Sequence, residues 1–247
     1  MNQESIMGMV LSATPVGDYD KRLVILTREH GKIAAFAKGA RRPNCALLAC
    51  SQPFAFGTFQ VYQGKTSYTV VAAEITNYFE TIRMDLDAVY YATYFCEFMD
   101  FLTKENIDGS GFLKLLYQSL RALSKKTIPY ALIRYIFEFK SMVINGEAPQ
   151  VFECVKCANE KPGTLFSAKS GGLVCEACKS KMTDIILIDE ATVYTLQYIV
   201  ASKIEKLYTF HVSECVMENL RICATRYLAE YLAHTFNSLR FLDMIVV

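Results

Sequence analysis

Short apolar runs of strand length mark the first eighty residues, with a two-residue period clearest in one of them. In Phe54–Gly64, Phe54, Phe56, Thr58 and Gln60 fall on one face of an extended chain, and Ala55, Gly57, Phe59 and Val61 on the other. "GMVLSATPV", "RLVILT", "KIAAFAKGA" and "SYTVVAAEITNYF" add four more short runs rich in apolar, β-branched and aromatic residues. Turn residues separate them, with Gly31 in "REHG" between the second and third. Five short strands at this spacing predict a small antiparallel barrel or a sandwich.

The period changes near Thr81. "RMDLDAVYYATYFCEFMDFLTKE" carries Leu86, Val89, Tyr90, Thr93, Tyr94, Met99 and Leu102 at helical spacing, and Phe112, Leu116, Leu120 and Leu123 continue the pattern in a second segment. A third begins near Pro129 and stops around Gly146. After an interruption, Asp189 and Ser213 are the predicted N-caps of two more helices, the last running to about Phe236. Helices of this kind bury one face each, so a bundle is predicted. The fold class is α+β, with domains over 1–80, over 81–150 joined by 184–247, and an insert over 151–183.

The insert is rich in Cys, Gly, Pro and Ser. Cys154, Cys157, Cys175 and Cys178 form the pattern C-x2-C-x17-C-x2-C. Each C-x2-C makes a tight knuckle that aims two sulfurs at one centre. Two knuckles supply four soft ligands in tetrahedral array, which suits one Zn²⁺. An iron–sulfur centre would use the same ligands, but nothing else in the chain points to redox work. A thioredoxin-like reading fails because there are two knuckles and no surrounding βαβ unit. Four thiolates fill the shell and leave no position for water, so the expected role is structural, in a zinc-ribbon-like module. Cys45, Cys50, Cys96, Cys215 and Cys223 lack ligand spacing, and Cys96 and Cys223 read as core.

Charge sharpens the picture locally. Across 247 residues, 26 Lys and Arg face 25 Asp and Glu, which argues against a globally basic binder. Between Lys21 and Arg42, however, seven cations (Lys21, Arg22, Arg28, Lys32, Lys38, Arg41, Arg42) meet one acid, Glu29. Tyr62, Lys65 and Tyr68 repeat the mixture of cation and ring one hairpin later. Cations for phosphates beside rings for bases make a single-strand nucleic-acid platform. The same cations also serve solubility and edge protection in ordinary barrels.

Catalytic patterns are missing: no G-x-S-x-G, P-loop or H-E-x-x-H occurs. His30, His211 and His234 read as surface or structural histidines. Asp18 and Asp20, followed at once by Lys21 and Arg22, read as a salt-bridged turn. The start of the chain lacks a signal-peptide pattern, and no apolar run is long enough to span a membrane. Nine cysteines, an odd number, fit a reducing cytoplasm.

"GDYDKRLVILTREHGKIAAFAKGARRPN", then "QPFAFGTFQVYQGKTSYTVVAAEI", resembles the N-terminal domain of the bacterial RecO family of recombination mediators. "INGEAPQVFECVKC" with a second C-x2-C resembles the helix-to-zinc junction of its C-terminal part. The resemblance implies an N-terminal OB-fold, a helical domain and a zinc module. It also implies a non-enzymatic, nucleoid-associated protein that binds single- and double-stranded DNA and anneals complementary strands. The implied partners are RecR, the acidic C-terminal tail of single-strand-binding protein (SSB), and, indirectly, RecA. DNA contacts then fall first to Lys38, Arg41 and Arg42, followed by Lys21, Arg22, Lys32 and Lys65. The SSB tail needs an apolar groove with a cation on its rim, for which Arg134 in "LIRYIFEFK" is the candidate, with Arg121 and Lys125 as alternatives.

Two other readings stay open at this point. An OB-like domain with a zinc ribbon also suits an RNA-binding factor of transcription or translation. A zinc-dependent nucleic-acid hydrolase would need an open ligand set with His or Asp, which the chain does not display.

Overall fold

A computed structural model describes residues 3–245. Five strands, β1 (Gln3–Val16), β2 (Asp20–Thr27), β3 (Lys32–Ala37), β4 (Phe56–Gln63) and β5 (Tyr68–Asn77), close into a barrel in the order β1-β2-β3-β5-β4. Closure departs from the all-antiparallel expectation, because β3 and β5 pair in parallel, with Ala35 opposite Tyr68 and Ala37 opposite Val70. A short helix α1 (Leu47–Cys50) makes that crossover. Alternation does the work inside: Leu23, Ile25, Ile33, Ala35, Phe59 and Val61 are sealed from solvent, while Arg22, Val24, Ala34, Phe36, Thr58, Gln60 and Tyr62 are at least partly exposed; Leu26, next to Ile25, is also buried. A bulge at Leu11, between Val10 and Ser12, bends the long β1 so that it pairs with both β2 and β4.

The chain forms two compact units. The first runs to Ser124 and resumes at Phe236; the second is Lys125–Thr235. The expected boundary near residue 80 falls inside the first of these units. After the single turn α2 (Glu80–Arg83), helices α3 (Leu86–Leu102) and α4 (Ser110–Lys125) belong with the barrel, and α3 packs on β1 and β2. Gly31 shows how close this packing is. It turns the β2–β3 hairpin at a left-handed φ of 62°, and a Cβ there would strike the carbonyls of Lys104 and Ile107 in the α3–α4 loop.

Helix α3 buries only part of the predicted stripe: Tyr94 and Met99 are sealed as expected, but the buried face is wider and shifted. Ala88, Tyr91, Ala92, Phe95 and Phe98 face inward, whereas Leu86 is 67% exposed and Thr93 is exposed. The helix is apolar on most sides, so periodicity alone does not orient it. On α4 the predicted positions Phe112, Leu116, Leu120 and Leu123 are all buried.

In the second unit, α5 (Tyr130–Ile144) packs against α6 (Glu190–Ala201) and α7 (Glu214–Tyr231). Asp189 and Ser213 cap α6 and α7 as expected, accepting from Thr192 N–H (2.6 Å) and Val216 N–H (3.3 Å). The final helix is not continuous to Phe236. It stops at Tyr231, and a separate α8 (Asn237–Ile245) follows in the first unit. Neither Gly nor Pro marks the break. Tertiary contacts set it: Phe236 packs among Tyr94, Phe98 and Phe101, and the Glu97 carboxylate accepts from the N–H groups of Asn237 and Ser238, each at 2.9 Å. No helix among the described residues is long and apolar enough to cross a membrane.

Candidate metal centre and cationic loops

The cysteine insert folds on a small three-stranded sheet within the second unit. Strands β6 (Leu165–Ser167), β7 (Gly172–Val174) and β8 (Ile185–Leu187) take the order β7-β6-β8, so the sheet extends past the expected end of the module. The first knuckle turns through Ala158, whose left-handed φ of 56° lets its N–H reach the Cys154 carbonyl (2.9 Å). The second leaves β7 and enters a 3-10 turn, Glu176–Lys181, with Cys178 N–H on the Cys175 carbonyl (3.0 Å).

These turns bring four sulfurs, those of Cys154, Cys157, Cys175 and Cys178, within 4.8 Å of one another, a set that could hold a metal ion. Backbone N–H groups of Lys156 (3.5 Å) and Cys175 (3.3 Å) also point at the Cys154 sulfur. Burial pushes that thiol up, but the N–H groups of Cys175, Lys156 and Cys157 outweigh it and bring it to about 6. Cys178 is pushed the other way, to about 12, by hydrogen bonding with Cys175 and Cys157. Thiols this close compete for charge, and a divalent cation bound there would resolve the competition by taking up all four as thiolates. Cys96 and Cys223 lie in the core, as expected.

The basic segment sorts into three groups. At the open end of the β2–β3 ribbon, the Lys38–Arg42 loop is stitched to the Gly17–Tyr19 turn. Gly39 N–H donates to Asp20 Oδ1 (2.7 Å), Arg41 N–H to the Tyr19 carbonyl (2.8 Å), and Arg41 Nη1 to the Gly17 carbonyl (3.0 Å). Gly39 takes the left-handed φ of 69° that the loop requires. The Arg42 guanidinium lies over the Tyr19 ring, 4.6 Å from its centroid, and Tyr19 is itself 50% exposed. Lys38, Arg41 and Arg42 all face solvent, as do Arg22 on β2 and Lys65 in the β4–β5 turn. Tyr19 is the residue that sequence reasoning missed. Its position opposite the cationic loop follows from strand pairing and leaves no trace in local spacing.

Lys21 turns inward. Its Nζ donates to the Ser51 carbonyl (3.2 Å) and Ser51 Oγ (3.1 Å), and burial lowers its pKa. At the far end of the ribbon, Lys32 pairs with Asp100 of α3 (2.8 Å) and Arg28 with Glu29 (2.5 Å). Tyr68 is core, 1% exposed, so it is not a stacking platform. Arg134 is not on a groove rim either. It is 9% exposed and bonded through Nε to the buried Glu138 (2.8 Å). Arg121 and Lys125, on α4, remain exposed.

The architecture is a closed barrel with a stitched cationic loop, followed by helices and a four-sulfur centre that could hold a metal ion. Comparison with known sequences names the family. Residues 1–79 match the family model "Recombination protein O N terminal" and residues 83–240 match "Recombination protein O C terminal". Among curated proteins, "DNA repair protein RecO" of Acetivibrio thermocellus is 33% identical, covering 98% of this chain and 97% of that protein. Its namesake in Alkaliphilus metalliredigens is 34% identical over 94% and 95%. That of Bacillus subtilis is 31% identical over 96% and 92%. The chain belongs to the RecO family.

Proposed function

We propose that this protein is a DNA-repair and recombination mediator that holds DNA on the outside of its barrel and promotes annealing of complementary strands. The carrying observation is the stitched junction of the Gly17–Tyr19 turn and the Lys38–Arg42 loop, which presents three solvent-facing cations beside an exposed tyrosine. The strand order and the parallel β3–β5 closure support an OB-fold for residues 1–80. In OB-folds the β2–β3 face and the β1–β2 and β4–β5 loops meet nucleic acid, and Arg22, Tyr19 and Lys65 stand at those places.

The physics suits annealing. Complementary strands repel through their phosphates, and cations that hold a strand without burying its bases lower that repulsion. Contacts by Lys38, Arg41, Arg42, Arg22 and Lys65 would give log K against log[salt] a slope of about −3.5 for single strands. No bond is cut or joined in this role. The four cysteines hold one structural Zn²⁺, which fixes the two knuckles on their sheet. RecR is the partner that, with this protein, helps load RecA onto SSB-coated DNA. The SSB tail docks at Arg121 and Lys125 of α4.

The test is annealing of SSB-coated complementary oligonucleotides by the full chain. Wild type accelerates annealing, and the variant with Lys38→Glu, Arg41→Glu and Arg42→Glu does not. Normal annealing by that variant, or a preference for RNA over DNA of the same sequence, overturns the reading.

A further inference from the structure

The second unit carries a cavity of about 480 Å³ that neither the cationic loops nor the cysteine centre uses. One wall is α6, where Tyr194 and Tyr198 stand four residues apart on one face. The other is the segment leading into α7, with Phe210 and His211, and Val216 in the first turn of α7. Tyr194 is 68% exposed, a large ring held in water at a cavity mouth. Tyr198 and Phe210 are fixed edge to face, with centroids 5.2 Å apart at 78°. Tyr198 Oη also donates to the Lys206 carbonyl (3.0 Å), which ties the cavity wall to the turn carrying Lys203 and Lys206. Both lysines are exposed.

The chemistry of this lining is selective. No carboxylate lines the cavity, and rings with polar tips form its wall. A ligand with a flat π-face and polar edges fits such a slot. Charge then fixes which way a strand lies. Glu190 and Glu214 occupy the first turns of α6 and α7 and repel phosphate from the helix ends. On the other side Lys203 and Lys206 attract it, outnumbering the exposed Glu205 between them. We infer that this pocket takes an unstacked nucleobase of single-stranded DNA against Tyr194, with the adjoining phosphates on Lys203 and Lys206. The inference deepens the proposed DNA-binding role and rests on it. A duplex keeps its bases paired and stacked, so the pocket discriminates single strands from duplex, while the barrel loops, which meet phosphates, do not.

The test uses the full chain and a single-stranded oligothymidylate carrying one 2-aminopurine, alongside a duplex of equal length. Ring stacking quenches 2-aminopurine fluorescence on binding. Tyr194→Leu removes the ring and keeps apolar bulk at an exposed position, and Tyr194→Phe keeps the ring. The expected result for Tyr194→Leu is loss of the quench and about tenfold weaker single-strand binding, with duplex affinity unchanged. Tyr194→Phe behaves as wild type. The Lys38, Arg41 and Arg42 triple variant serves as reference and loses both forms of DNA. A Tyr194→Leu protein that quenches and binds normally overturns the pocket assignment while leaving the barrel reading intact, and points the pocket to a protein partner. Equal losses on single strand and duplex overturn it as well. If the triple variant binds DNA normally, the failure belongs to the barrel reading instead.

Discussion

The cysteine knuckles and the barrel cations are both clusters of like side chains, gathered in opposite ways. In the knuckles, two tight turns and one small sheet bring four sulfurs within 4.8 Å of one another. Local backbone geometry leaves each sulfur nowhere else to point. In the barrel, seven cations lie within twenty-two residues of sequence, yet they disperse. Lys38, Arg41 and Arg42 stay in water, Lys21 folds onto Ser51, and Lys32 and Arg28 are taken by Asp100 and Glu29. Ligand spacing is thus a statement about geometry. Charge density along the chain is only a statement about supply.

The largest effect is expected where the cluster is closed. Cys154→Ala removes a buried sulfur of the proposed zinc site and leaves three thiols. Structural zinc contributes folding free energy of order 10 kcal/mol in small modules, so the variant should purify without stoichiometric zinc and melt well below wild type. Metal analysis and thermal unfolding check this. Full zinc occupancy with an unchanged melting temperature would mean that the four sulfurs are not one site.

Next comes the open cluster. Reversing Lys38, Arg41 and Arg42 together would remove three of the proposed phosphate contacts and add repulsion. The salt slope for single-strand binding should become shallower by about 2, read from binding isotherms at several salt concentrations. Zinc content should be unchanged, because the loop belongs to the first unit and the four sulfurs to the second. A triple variant that loses metal would break the separation between the two regions.

Much of this was legible in the sequence, for physical reasons that differ by element. The strands of the barrel announce themselves by alternation, because one face of each is sealed and the other wet. The caps Asp189 and Ser213 are local hydrogen-bond devices, readable at a distance of three residues. The face of α3 was only partly readable, since a helix that is apolar on most sides carries little orientation of its own. Nor was the break after Tyr231, which depends on Phe236 entering an aromatic cluster and on Glu97, far away in sequence, capping α8. Arg134 and Glu138 are an i,i+4 pair readable within "LIRYIFEFK"; what local spacing does not give is that both are buried. Lys140 is similar: its Nζ is buried against the carbonyls of Ile199, Val200 and Ser202, where it caps α6. Side chains whose partner is tens of residues distant leave nothing in local spacing to read.

A smaller effect tests how the open cluster is held. Arg42 over Tyr19 is a cation–π contact worth about 0.5–1 kcal/mol at an exposed site. Tyr19→Ala releases the guanidinium and removes an exposed ring, so single-strand affinity should fall about two- to fivefold. Tyr19→Phe keeps the ring face and should bind as wild type. If Tyr19→Phe were as weak as Tyr19→Ala, the hydroxyl, and not the ring, would be the working part.

The smallest effect is the most discriminating. Lys32 lies in the same basic stretch as Lys38, and on charge alone the two should count equally toward DNA. The structure separates them: Lys32 Nζ is 2.8 Å from Asp100 Oδ1 and also donates to the Asp100 carbonyl, at the closed end of the ribbon. A cation already neutralised releases no counterion when a phosphate arrives, so Lys32→Met should leave both affinity and salt slope within error of wild type. Its cost should appear instead in stability. The pair is about a third exposed on the lysine side, so solvent screening holds its loss to about 1 kcal/mol or less. Lys38→Met should do the reverse, shifting the slope by about 0.7 with little change in melting temperature. Equal effects of the two substitutions on DNA would show that the stretch acts as a diffuse field of charge, and the division of the ribbon into an open and a closed end would have to be abandoned.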